Sequence, residues 1–216
     1  MLNNIKSKYI LNLIIGKLKK RRKLKLVKYN KILINKLNIT KEDFENFKSL
    51  KEMNQKFNLD IKDIEIKELN LMKRYLGNEI LEYLKKIEFK ELKELDLSDN
   101  NISDIKVLDK VKFVKLEKLY LSFNKISDIN ILEKVNFQEL KELDLSFNKI
   151  SEIKVLEKVK FEKLEIFNLG NNEILDINVL ENVNFKELKE LYLHYNKISE
   201  IKVLEKVKFE KFEKWY

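Results

Sequence analysis

Between residues 92 and 211 the apolar and polar positions recur with a period of 24 residues. The first pass reads Leu92, Leu95, Leu97, Asn100, Ile102, Ile105, Leu108, Val111 and Phe113. The second reads Leu116, Leu119, Leu121, Asn124, Ile126, Ile129, Leu132, Val135 and Phe137, and three more passes run through residues 140–161, 164–185 and 188–209. Leu95 and Leu97 alternate with polar neighbours, which predicts a short strand with one buried face. The Ile-x-x-Leu-x-x-Val-x-Phe return has the spacing of a helical or 3₁₀ turn whose apolar side closes a coil. Phe113, Phe137, Phe161, Phe185 and Phe209 are then expected to stack as an internal spine. An asparagine at each fixed turn (Asn100, Asn124, Asn148, Asn172, Asn196) can bond the backbone of the neighbouring coil. No single pass buries its apolar face alone, so stability has to come from stacking neighbours.

A degenerate first coil is expected upstream. Ile61, Ile64 and Ile66 have the strand spacing, Leu69 stands where the asparagine belongs, and residues 71–87 read as a longer helix ending in Leu84, Ile87 and Phe89. At the other end Phe212 and Trp215 begin a sixth regular pass; Trp215 and Tyr216 are expected to fold back as a lid or to meet a partner, or else the sequence simply ends at an arbitrary repeat. Before the coils, Leu11, Ile14, Ile15 and Leu18 mark one amphipathic helix, and Leu26, Tyr29 and Leu33 a second. Thr40-x-x-Asp43 is a capping box for a third helix, with Phe44, Phe47 and Leu50 on one side. The expected organisation is a basic helical unit over 1–57, a degenerate capping repeat over 58–91, and five 24-residue repeats with a truncated sixth over 92–216.

The repeating frame resembles the leucine-rich-repeat family, whose pattern is L-x-x-L-x-L-x-x-N-x-L. Its isoleucine-rich second half, as in Asn148-Lys-Ile-Ser-Glu-Ile, is similar to the short-repeat class found in bacterial internalins and in a phosphatase regulatory subunit. The resemblance implies an α/β solenoid with a parallel short-strand sheet on the concave face, helical or 3₁₀ turns on the convex side, and an N-terminal helical cap. Members of the family are typically curved ligand-binding scaffolds. At the N-terminus, Lys8-Tyr-Ile-Leu-Asn-Leu-Ile-Ile-Gly-Lys-Leu followed by Leu24-Lys-Leu-Val-Lys-Tyr-Asn is similar to an F-box. That likeness implies docking on a ubiquitin-ligase linker protein, with substrate held by the repeats; the same helices can also serve as a plain cap.

In this architecture the polar positions flanking the strand leucines project from the sheet. One column holds Asp96, Tyr120, Asp144, Asn168 and Tyr192, the next Ser98, Ser122, Ser146, Gly170 and His194, and the third Asp99, Phe123, Phe147, Asn171 and Tyr195. Tyr120, Phe123, Phe147, Tyr192 and Tyr195 are expected to be exposed together, as anchors for a protein partner. Cross-strand packing among themselves is the competing role. The acidic positions Asp96, Asp99, Asp144, Glu94 and Glu142 lean toward a basic or polar partner.

Composition narrows the chemistry. The 216 residues contain no cysteine, which removes disulfides, thiolate metal sites and cysteine nucleophiles and favours an intracellular, cytoplasmic setting. His194 is the only histidine, so histidine pairs for a metal or for a catalytic relay are excluded. Three scattered glycines cannot form a phosphate-cradling loop. Neither an enzyme, a cofactor nor a small-molecule substrate is expected. The apolar run at residues 9–15 is too short to span a bilayer and lacks a cleavage site. Net charge is +9, but Met1–Lys41 alone carries thirteen basic residues and no acidic one, leaving −4 for the remainder. The run Lys19, Lys20, Arg21, Arg22, Lys23 could meet phosphates of nucleic acid or an anionic membrane. No base-reading motif accompanies it, and a solvated loop is the preferred reading, since absent alanine and proline beside abundant Lys, Asn and Ile point to an AT-rich genome. Residues 149–165 and 197–213 match at sixteen of seventeen positions, 48 residues apart, which suggests recent duplication of repeat units.

Overall fold

The structure, a computed structural model, describes residues 39–207 and 209–215. The two helices expected within residues 1–38, the basic run Lys19–Lys23 and the F-box-like stretch lie outside the described residues. The chain divides into two compact units, residues 1–63 and 64–216.

In the first unit the described helix is α1 (Lys41–Phe57). It starts where the sequence places a capping box: the Thr40 hydroxyl accepts from Asp43 N at 3.2 Å, and Thr40 N donates to the Asp43 carboxylate at 2.9 Å. It stops at Asn58, whose φ of 50° puts the backbone in the left-handed region that ends helices. The buried face is Asp43, Asn46, Leu50 and Met53. Phe44 is therefore off the buried face, being 38% exposed, because drawing Asp43 back to Thr40 turns that side inward.

The second unit is a parallel solenoid. Seven short strands lie in chain order: β1 (Glu68–Asn70), β2 (Glu94–Asp96), β3 (Lys118–Tyr120), β4 (Glu142–Asp144), β5 (Ile166–Asn168), β6 (Glu190–Tyr192) and β7 (Lys214–Trp215). From β2 onward the register advances by one period per strand, Leu95 pairing with Leu119, Leu119 with Leu143 and Leu191 with Trp215. The chain returns through 3₁₀ turns at Lys106–Lys110, Asn130–Glu133, Lys154–Lys158, Asn178–Asn182 and Lys202–Glu205. A 3₁₀ turn covers about 2 Å per residue, so it closes a 24-residue coil in fewer residues than an α-helix would. Side-chain carboxylates of Asp104, Asp128 and Asp176 hold the entries by accepting the N–H two residues on, at 2.7–2.9 Å.

The core is the stack of strand leucines and return isoleucines, nearly all at 0–2% exposure from Leu92 to Leu188. Of the expected column, Phe113, Phe137, Phe161 and Phe185 are buried and Phe209 is half-buried, while Phe89 extends the column at the other end; ring contacts lie at Phe89–Phe113 (6.2 Å between centroids) and Phe185–Phe209 (6.5 Å). The asparagines run beside it as a ladder. Asn148 Nδ2 shares its two hydrogens among Leu121 O, Leu145 O and Ser146 O at 2.9–3.1 Å, while its Oδ1 accepts Ile126 N at 2.9 Å. Asn100, Asn124, Asn172 and Asn196 repeat the arrangement. Each amide thus ties one coil to the one before it.

Two expectations for the first coil are corrected. The strand leucines are Leu69 and Leu71, which sit in register with Leu95 and bond the backbone of Asp96, so the Asn position falls on Arg74. Ile66-x-x-Leu69-x-Leu71 has the same spacing as Ile61-x-x-Ile64-x-Ile66, and the pairing of Leu69 with Leu95 selects the later frame. An asparagine at position 74 would have no earlier coil of this unit to reach. The helix expected over 71–87 shrinks to α2 (Glu79–Leu84), because Lys73, Tyr75 and Gly77 all have φ between 53° and 61°, which no right-handed helix accommodates. At the far end residues 214–215 extend the sheet as β7 instead of folding back as a lid.

A second regularity is visible only once the coils are stacked. Just ahead of each strand, charge alternates in sign from coil to coil: Glu91, Lys93 and Glu94 face Lys115, Glu117 and Lys118, which face Glu139, Lys141 and Glu142. Facing groups pair, as in Lys115–Glu91 (2.8 Å), Lys141–Glu117 (2.9 Å), Lys118–Glu142 (3.5 Å) and Lys163–Glu139 (2.7 Å). Lys93 and Lys141 together hold the Glu117 carboxyl down at about 2. The true repeat of the surface is therefore two coils, 48 residues, as in the near-identical segments 149–165 and 197–213.

Asn148→Ala should cost about 3–5 kcal/mol in urea denaturation, since several buried backbone groups lose their partner at about 1–3 kcal/mol each. A loss below about 1 kcal/mol would show that water replaces the amide. Inverting one coil's charges (Glu139→Lys, Lys141→Glu, Glu142→Lys) should destabilise by about 1–3 kcal/mol at low ionic strength, three facing pairs being broken. Most of that loss should vanish in about 1 M salt; a salt-independent loss would mean packing, not charge, sets the pairing.

Candidate functional site

Strands β1–β6 are three residues long and β7 two, so each presents few outward side chains, and function has to be built across coils. Asp96, Tyr120, Asp144, Asn168 and Tyr192 occupy one column and are all half-buried. Three of them also hold the backbone: Asp96, Asp144 and Asn168 accept the N–H of Ser98, Ser146 and Gly170 at 2.8–3.0 Å. Tyr192 instead donates its hydroxyl to the Glu190 carboxylate.

The next column departs from expectation. Ser98, Ser122 and Ser146 are buried, not projecting, because the chain bends inward toward the ladder asparagine two residues later. Ser122 Oγ bonds Ser98 Oγ at 3.0 Å. In the same column Gly170 makes room for a neighbour: a Cβ there would lie 2.6 Å from Cε1 of His194. His194 packs edge-on between Tyr192 and Tyr195, with ring centroids 6.1 and 5.4 Å away. The one histidine and the one glycine of the repeats are thus a matched pair, a signal present in the sequence as their 24-residue separation.

The third column was not legible as what it is. Asp99, Phe123, Phe147, Asn171 and Tyr195 all have φ between 53° and 56°, in the left-handed region. Asp and Asn tolerate that conformation, whereas a bulky side chain there costs roughly 1–3 kcal/mol. Phe123 and Phe147 are nonetheless there, 52% and 43% exposed, with their rings stacked at 4.0 Å and 10°. Stacking returns about 0.5–1.5 kcal/mol, which does not clearly offset two strained positions. Tyr195, at 80%, is the most open of the five. The expected aromatic group therefore divides in two: a Phe123–Phe147 pair, and a Tyr192–His194–Tyr195 cluster with Asn171 between them in the column. Tyr120 is half-buried beside the first. Asp99, Phe123, Phe147, Lys149 and Asn171 line one shallow groove.

Charge on this face is one-sided. Over β2–β6 the outward strand positions and the left-handed column hold six carboxylates, Glu94, Asp96, Asp99, Glu142, Asp144 and Glu190, against the single Lys118. Lys149 lines the phenylalanine groove, and Lys125 holds the equivalent exposed position one coil earlier. The Tyr120 hydroxyl feels the imbalance: burial first, then the Glu142 carboxylate, then Glu94 and Asp144, push its pKa well above the usual tyrosine value. Among the described residues no group of three or more His, Asp or Glu is placed to hold a metal, and no helix is long and apolar enough to cross a membrane.

An open parallel sheet of short strands closed by 3₁₀ turns, with an asparagine ladder between coils, defines the class of parallel-strand solenoids. Residues 90–134 and 138–182 each match the family described as Leucine Rich repeats (2 copies), the two matches standing one 48-residue surface repeat apart. Residues 90–182 thus carry leucine-rich repeats. Its fold is similar to internalin C2 of Listeria monocytogenes (19% identity, TM-score 0.50, covering 78% of this chain and 92% of that one). Weaker likenesses include an internalin, inlF, of Listeria monocytogenes (24%, 0.46, 62% of this chain and 43% of that). Another is a leucine-rich-repeat protein of Leptospira interrogans (28%, 0.46, 59% and 33%). The chain thus spans less than half the length of these last two. No curated protein sequence matches it.

Alkaline titration should report the acidic surroundings of Tyr120. Its folded pKa lies above its unfolded one, so its contribution to stability is complete below about pH 10 and is lost as pH rises further. Tyr120→Phe should flatten the fall in thermal midpoint above pH 10; an unchanged profile would place the hydroxyl in open water.

Proposed function

We propose that the chain is a protein-interaction scaffold that binds a partner on the concave face of its sheet, and that it is not an enzyme. One observation carries the reading: two stacked phenylalanines are kept exposed on backbone that favours Asn or Asp, so their retention is explained by a contact the free chain does not make. Asp96, Asp99, Tyr120, Asp144, Asn168, Tyr192, His194 and Tyr195 surround that pair along the coils and form the rest of the surface. The half-buried members shape and polarise it, while Phe123, Phe147 and Tyr195 supply area. The lack of cysteine supports an intracellular site of action.

Replacing Phe123 and Phe147 together with serine should abolish capture of the partner from native lysate while shifting the thermal midpoint by no more than about 2 °C. A collapse in stability would identify the pair as packing and remove the proposed interface. Recovery of a ubiquitin-ligase linker protein, unaffected by the double substitution, would make the chain a substrate adaptor instead.

A further inference from the structure

The chemistry of the partner follows from what surrounds the phenylalanine pair, given that the sheet face is where binding occurs. Phe123 and Phe147 present stacked, exposed rings in one groove with Asp99 at one end and Asn171 at the other. The strand column on the same face carries Asp96 and Asp144 on the coils either side of Tyr120. Asp144 uses one oxygen on the Ser146 N–H, while Asp96 accepts from Ser98 N with one oxygen and, at 3.3 Å, from the Asn70 amide at the exposed edge with the other. Among the described residues Asp144 makes no ion pair with the one lysine on the outward strand positions of β2–β6, Lys118, which is 3.5 Å from Glu142; Lys73 holds the position beside Asp99 on the first coil. The result is an apolar strip bordered on its strand side by carboxylates in excess.

We propose that this face takes a basic segment of a protein partner, with lysine or arginine side chains against Asp96, Asp99 and Asp144 and an apolar side chain laid on the Phe123–Phe147 pair. Cations gain both from the carboxylates and from the ring faces. An acidic segment would meet like charge on the strand side, and Lys125 and Lys149 are too few to reverse the sign. Lys149, lining the groove, sets one edge of the basic footprint, since a cation beside it would meet like charge.

The repeats themselves supply substitutions that the fold accepts. Asn168 already makes the turn bond that Asp96 and Asp144 make, and Asn171 already sits at the backbone angle of Asp99, Phe123 and Phe147. Asp96→Asn/Asp99→Asn/Asp144→Asn and Phe123→Asn/Phe147→Asn should therefore fold, with thermal midpoints equal to or above that of the parent chain. The probes are two fluorescein-labelled peptides of about 15 residues, one of arginine, lysine and leucine and one of glutamate and leucine, titrated into the full chain by fluorescence polarisation.

The basic peptide should bind, and each variant should weaken it roughly tenfold or more. Raising salt from about 0.05 to about 0.5 M should erase the effect of the carboxylate variant and leave that of the phenylalanine variant. Binding of the basic peptide that ignores Phe123→Asn/Phe147→Asn would overturn the proposal, reducing it to diffuse charge attraction. Phenylalanine-dependent binding of the acidic peptide would also overturn it while leaving the sheet-face reading intact. If neither peptide binds, the basic partner class is wrong, and the sheet-face reading then stands or falls on partner capture by the Phe123→Ser/Phe147→Ser chain.

Discussion

Every coil of the solenoid turns inward once after its strand, and at that bend backbone groups leave the sheet with no regular partner. The asparagine ladder meets this demand. One carboxamide offers two donors and an acceptor on a short, stiff side chain, enough to hold carbonyls of its own coil and of the coil before it while accepting an N–H from the previous coil. Buried amide groups left without partners would cost more than packing of one coil returns, so the ladder is the condition under which leucines and isoleucines can stack at all. It also explains the one coil without it, where Arg74 holds the position and no earlier coil of the unit needs tying.

The ladder has a geometric consequence for the surface. By fixing one register between successive coils, it brings residues 24 apart into columns about one strand spacing from each other. Charge then has to be arranged by column. Alternating Glu and Lys ahead of the strands turns neighbour repulsion into pairs, and the surface repeat doubles to 48 residues although the core repeat stays at 24. Past the strands the same register stacks Phe123 on Phe147 and seats His194 over Gly170. A free-standing side chain at any of these positions would be unremarkable; the columns make them a surface with a sign and a texture.

That surface bears a conformational cost which the core does not. The column of Asp99, Phe123, Phe147, Asn171 and Tyr195 is left-handed throughout, because the chain has to reverse its curvature just before the ladder asparagine. Asp99 and Asn171 meet the requirement in the ordinary way, and the three aromatics meet it under strain. Outside this column the first coil also carries left-handed Lys73 and Tyr75, but only Phe123 and Phe147 combine that backbone with two exposed rings stacked on each other.

Period, coil count from β2 onward, strand leucines, the phenylalanine column, the asparagine role and the Thr40–Asp43 cap were all legible in the chain itself. Each depends on local spacing or on a side chain bonding backbone nearby. The columns were legible too, since a constant period dictates which residues become neighbours. Tertiary structure alone decided the rest. Two overlapping frames share Ile66, and only the pairing of Leu69 with Leu95 selects the one that uses Leu69 and Leu71 as strand leucines. Whether Ser98 is buried, whether Phe123 is strained and whether its ring lies flat on Phe147 depend on the path of the backbone between strand and ladder. That path is set by coils stacked on both sides, which no single repeat contains.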